Sequence, residues 1–174
     1  MKILNLILLI CIGFISCSKN ELTKEEAMVL LNTEKGFPRS AYFEIFTSDP
    51  EYAKKLSATD LESDGYVVIQ KTQKLGEVGN ALVSFTEKAK PFLLKATDDD
   101  LKMSVQSVKI ADETVVEIKS VNENKSSGTM EVYYVTNFKN ATPFAVLVKN
   151  LDKPKDLSAT FKFDGDKWVL VKHQ

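Results

Sequence analysis

Few side chains in this 174-residue sequence have the type and spacing to do chemistry. The one histidine, His173, is the penultimate residue. A catalytic base or metal ligand needs a fixed orientation, which a chain end rarely provides. A Ser-His-Asp triad has no other histidine to draw on, and zinc-hydrolase spacings are absent. Asp98-Asp99-Asp100 offers three carboxylates but lacks the alternating ligands and glycine of a calcium loop, so it reads as a helix cap or linker. Asp164-Gly165-Asp166 reads as a hairpin turn, and Gly76-Glu77-Val78-Gly79 lacks the spacing of a phosphate loop. Carboxylate pairs for glycoside hydrolysis are not legible from spacing. Tyr42 and Tyr133 fall on outer positions by alternation and could form a sugar- or protein-binding face. The thiols are Cys11, inside an apolar run, and Cys17, at its end.

Composition narrows the class. The chain is 44% hydrophobic and 27% charged, with 23 basic against 24 acidic residues. That excludes a disordered chain and a multi-span membrane protein, and it suits one globular domain or two small ones. The near-zero net charge argues against nucleic acid as a partner. Arg39 is the only arginine.

The first residues set an expectation about location. Lys2 precedes an apolar stretch over residues 3–15, broken only by Asn5 and Gly13. Crossing a bilayer takes about 20 residues, so this run fits the core of a secretory signal instead. Phe14-Ile15-Ser16-Cys17, followed by polar Ser18-Lys19-Asn20-Glu21, resembles the lipobox of bacterial lipoproteins. Phe14 stands where Leu or Val is usual. The resemblance implies cleavage between Ser16 and Cys17, a diacylglyceryl thioether on Cys17 and acylation of the new amine. Palmitate is the expected acyl group, and two or three chains give stable anchoring. Ser18, where Asp would signal retention at the inner membrane, favours the outer membrane. Residues 1–16 are then a signal peptide and residues 17–22 a lipidated tether. Such processing leaves no free thiol for disulfides or metal.

The elements that must position everything else fall into two groups. Thr23-Lys24-Glu25-Glu26 is a capping box ahead of an apolar stripe of Ala27, Met28, Leu30 and Leu31, ended by Gly36 and Pro38. A short buried strand is expected over 41–46, with a helix as the alternative, then a helix over 51–56 behind Ser48-Asp49-Pro50, and a second short helix or turn over 57–64. Strands at 66–70 and 81–85 flank a flexible turn. This order is that of a winged helix, which gives residues 23–97 a winged-helix-like reading. Its DNA-reading element would be 57–65, which carries Asp60, Glu62 and Asp64 and no basic residue, so DNA binding is rejected. The lobe reads instead as a packing or protein-contact module, with 86–95 folded back over it.

Thr97-Asp98-Asp99-Asp100 marks a break, and the period then changes to two. Strands are expected at 105–110, 114–121, 129–138, 159–163 and 168–171, with turns at 126–128 and 164–165. Thr142-Pro143 should cap a short helix reaching residue 148. The expected fold is α+β: the small N-terminal lobe, then an antiparallel sheet of about five strands over residues 101–174. The functional expectation is a membrane-anchored, non-enzymatic binding or interaction module with a protein partner in the envelope, and no cofactor or metal. An envelope glycan or cell-wall hydrolase, or an inhibitor of one, is the alternative; a structural subunit of an envelope assembly is the third. An enzyme requires convergent buried acids in a cleft, whereas a binding module requires an apolar or aromatic patch.

Overall fold

The computed structural model describes residues 21–172. Thr23 begins the first helix as its sequence requires. Its hydroxyl accepts from the Glu26 backbone at 3.2 Å, and the Glu26 carboxylate accepts from the Thr23 backbone at 3.0 Å. The helix, α1 (Lys24–Glu34), buries Ala27 and Leu31. It is followed by β1 (Arg39–Phe46) and α2 (Pro50–Ser57), where Asp49 caps the helix by accepting from the Glu51 backbone at 2.8 Å. Residues 58–65 form successive turns rather than a second helix. Gly65 has a φ of +76°, in the left-handed region glycine enters without strain, and turns the chain into β2 (Val67–Ile69). A connection containing a 3-10 turn, Leu75–Glu77, leads to β3 (Val83–Phe85), which pairs antiparallel with β2. A short helix, α3 (Asp98–Lys102), precedes β4 (Val105–Asn124), β5 (Thr129–Lys139), β6 (Lys155–Phe163) and β7 (Trp168–Leu170). The short helix expected after Thr142 is a 3-10 turn, Pro143–Leu147.

The large sheet runs β1-β4-β5-β6-β7, every neighbour antiparallel. The α+β class and the five-stranded antiparallel sheet are therefore as expected, but the membership of the sheet differs. The strands expected at 105–110 and 114–121 are one continuous strand, β4, and the fifth place is filled by β1 from the N-terminal part. In a winged helix that strand would sit beside the β2–β3 ribbon. Here it pairs with β4 from Arg39↔Glu113 to Phe46↔Val105, because Phe43 and Ile45 then share a buried face with Val108. Irregularities at Ala41/Tyr42, Val115/Glu117 and Ile118/Ser120 bend the ladder, and the sheet curls into a half-barrel.

Cross-strand register places the buried side chains on one face of that curl. Two clusters occupy it. The first joins Ile45, Leu56, Val67, Val83, Val108 and Phe144 beneath α2 and the β2–β3 ribbon. The second joins Leu31, Phe37, Ile118, Val132, Tyr134 and Phe161 beneath α1.

The capping box recurs at α3, where Thr97 and Asp100 exchange the same bonds. Hydrogen bonds from the Thr23 backbone, and then from its hydroxyl, hold the Glu26 carboxyl below its ordinary value; Thr97 does the same to Asp100. A depressed folded pKa gives stability that is present above the unfolded value and lost as pH falls through the folded one. The urea midpoint should therefore decline below about pH 4. In Glu26→Gln/Asp100→Asn, which removes both titrating carboxyls, that decline should be shallower. An unchanged pH profile in the double variant would show that the caps carry none of it.

Candidate functional site

Between the two clusters, the buried face of the sheet carries charge. Arg39 at the start of β1 donates from Nε and Nη2 to Glu113 Oε2, each at 2.8 Å. Thr136 on β5 donates its hydroxyl to Glu113 Oε1 at 2.8 Å. Glu113 is 6% exposed and Thr136 fully buried. Both carboxylate oxygens thus have a donor, which a buried charge requires. The Arg39 guanidinium also stacks 4.6 Å from the Phe37 ring centroid, where a planar cation gains from the aromatic face.

A cleft of about 550 Å³ opens beside this pair. One wall is the sheet, with Arg39, Tyr42 and Phe138; the other is the chain leaving the 3-10 turn, with Lys149 and Leu151. Thr142 fixes that second wall. Its hydroxyl donates to the Lys109 carbonyl at 2.6 Å, and its backbone donates to the Ile110 carbonyl at 2.8 Å. Lys155 lies at the mouth, 4.5 Å from the Phe138 ring centroid. Glu113 is the only carboxylate among the cleft residues, set against Arg39, Lys149 and Lys155. The arrangement suits an anionic group above an aromatic floor, and its one carboxylate is already occupied.

Asp112 and Glu113, adjacent in sequence, turn to opposite faces. Asp112 meets Lys109 at 2.7 Å and Asn140 at 3.0 Å, bonds that hold its carboxyl below the ordinary value, Lys109 contributing most. The two acids therefore do not converge on one site. Asp100 caps α3, and Asp99 pairs with Lys102 at 2.9 Å. Asp164 and Asp166 lie in the β6–β7 turn. Gly76-Glu77-Val78-Gly79 belongs to the β2–β3 connection, where Leu75 is 95% exposed. Tyr42 and Tyr133 are both exposed but are not brought together: Tyr42 pairs with Lys109 and Tyr133 with Ser120, far along β4. Glu131 accepts a hydrogen bond from Tyr133 and pushes its hydroxyl above the ordinary phenol value. Among the described residues no cluster of three or more His, Cys, Asp or Glu could hold a metal ion, and no helix is long and apolar enough to cross a membrane. Ser16, Cys17 and His173 lie outside the described residues.

Glu113 and Thr136 were not singled out by sequence reasoning. Thr136 did carry a signal: it shares the alternating face of Met130, Val132, Tyr134 and Phe138, and a hydroxyl among them needs a buried partner. No known family model, curated protein or solved structure matches the chain.

Proposed function

We propose that the protein is an exported lipoprotein, anchored through lipid on Cys17, that acts as a non-enzymatic binding module for an envelope partner. The outer membrane is the favoured location, on the strength of Ser18. The observation that carries the binding reading is the cleft itself. Its carboxylate is engaged on both oxygens by Arg39 and Thr136, while Lys149 lines the opposite wall and Lys155 stands over the Phe138 ring. Such a site receives an acidic segment of a partner rather than supplying a general base.

Two measurements test the two halves. Cells fed a clickable palmitate should label the wild-type protein and leave Cys17→Ala unlabelled, with the variant moving to the soluble fraction. Equal labelling, or equal membrane retention, sinks the anchor. Crosslinking in intact cells should then recover a partner with the wild type and at least several-fold less with Lys149→Glu/Lys155→Glu. Undiminished recovery places the partner elsewhere.

A further inference from the structure

A second groove, of about 530 Å³, lies where the described chain begins. Val29 and Leu30 of α1 form one side of its floor, and Phe163 and Trp168 form the other. The two aromatic rings meet edge-on at 5.3 Å. Val29 is 61% exposed on a helix that buries Ala27 and Leu31, so an apolar side chain is presented to the groove that no described residue covers. The volume is that of a small-molecule site, commonly about 300–1,000 Å³. Among the described residues Glu21 itself lines the groove, as do Glu25, Glu26, Glu34 and Asp166, with Lys167 the one cation.

Cys17 stands four residues before Glu21. At about 3.6 Å per residue the chain places its sulfur within roughly 14 Å of the groove. We propose that this groove shelters an acyl chain of the lipid carried on Cys17, an inference that rests on the lipoprotein reading. Two features select that occupant. Tethering over so short a span gives the acyl chain an effective concentration of order millimolar at the groove. The carboxylate rim also repels the anionic head of a free fatty acid or acidic phospholipid, whereas a diacylglyceryl thioether is neutral and enters without that penalty. The groove is then a resting place for the anchor when it is not in a bilayer.

Trp168 is the only tryptophan, so its emission reports on this groove alone. The full chain is purified, its intact mass recorded, its ester-linked acyl chains removed with a lipase, and the mass recorded again. The product, and in parallel the full Cys17→Ala chain, which carries no ester- or amide-linked acyl group to hold the groove, is then titrated with a monoacylglycerol whose acyl chain is brominated, a contact quencher of tryptophan, kept below its micelle concentration. Saturable quenching of Trp168 is expected, at least tenfold weaker for the same brominated chain as a free carboxylate at pH 8. Val29→Glu should weaken the glyceride at least tenfold, with far-UV circular dichroism confirming the fold. Glu25→Lys/Glu34→Lys, which leaves three carboxylates against three cations at the rim, should abolish the preference for the glyceride. Absence of quenching, or equal quenching by both probes in the wild type, overturns the groove proposal while leaving the anchor intact. A first mass without diacylglyceryl refutes the anchor, and with it the covalent lipid as occupant, whatever the titration shows.

Discussion

Phe144→Ala should destabilise the protein by about 3–5 kcal/mol, the range for deleting a fully buried aromatic ring. Phe144 is 0% exposed, and three rings surround it: Tyr66 at 5.9 Å, Phe85 at 6.2 Å and Phe92 at 6.2 Å between centroids. Those rings come from the residue just before β2, from β3 and from the 3-10 turn at Lys90–Phe92, so one side chain ties three separate segments together. None of the three can collapse into the void without breaking another contact, and that places the cost at the upper part of the range. Val146, two residues on in the same turn, is 63% exposed. Val146→Ala should stay within about 0.5 kcal/mol of wild type. Urea titration at constant m-value separates the two outcomes; comparable losses would mean that Phe144 is not the hub of this cluster.

The second large effect concerns Glu113. Thr136→Val removes the only donor to Oε1 and leaves a buried carboxylate oxygen unpaired, which costs about 1–3 kcal/mol. Glu113→Leu alone strands the Thr136 hydroxyl in the same buried position and should cost a comparable amount. The double variant removes donor and acceptor together, and an apolar pair of similar volume is often neutral in such a place. Its loss should fall short of the sum of the single losses by at least about 1 kcal/mol. Simple additivity would show that Thr136 and Glu113 are not energetically coupled. Arg39 contributes less than its geometry suggests, because its side chain is 48% exposed and water competes for the guanidinium.

How much of this was legible beforehand differs from element to element for physical reasons. The Thr23 and Asp49 caps, the Pro143 turn and the β4–β5 and β6–β7 hairpins depend on residues close in sequence, and all are present. The alternation from Met130 to Phe138 also read correctly, save that Val135 on the opposite face is buried at 7%. What escaped was non-local. Nothing local to residues 39–46 says that they pair with 105–113 instead of with the ribbon that follows them. The bulge opposite Ala41/Tyr42 leaves Ile110 without a partner and buries Ile110 and Ala111 in succession, which breaks the period-two pattern of β4 where one strand read as two. Glu113 sits in a strand rich in polar residues and so reads as solvated; only the arrival of Arg39 from a distant strand makes its burial tolerable. For the same reason Asp112 and Glu113 could not be separated into their opposite roles.

The pairing of Phe46 with Val105 has a topological consequence. These two residues bracket the whole small lobe, and Thr47 locks the neck by donating from both its backbone and its hydroxyl to the Ser104 carbonyl, at 2.8 and 3.0 Å. In the connectivity of the chain, the lobe is an insertion into a β-hairpin: entry and exit are adjacent, and a tight turn would satisfy the same two strand ends. Closing a loop of about 60 residues in place of a turn of about 4 costs only some 2–2.5 kcal/mol in chain entropy. The half-barrel thus has a socket at this corner, whose neck fixes where the chain enters and leaves while its apolar floor of Ile45, Val108 and Phe144 must be covered by whatever body fills it.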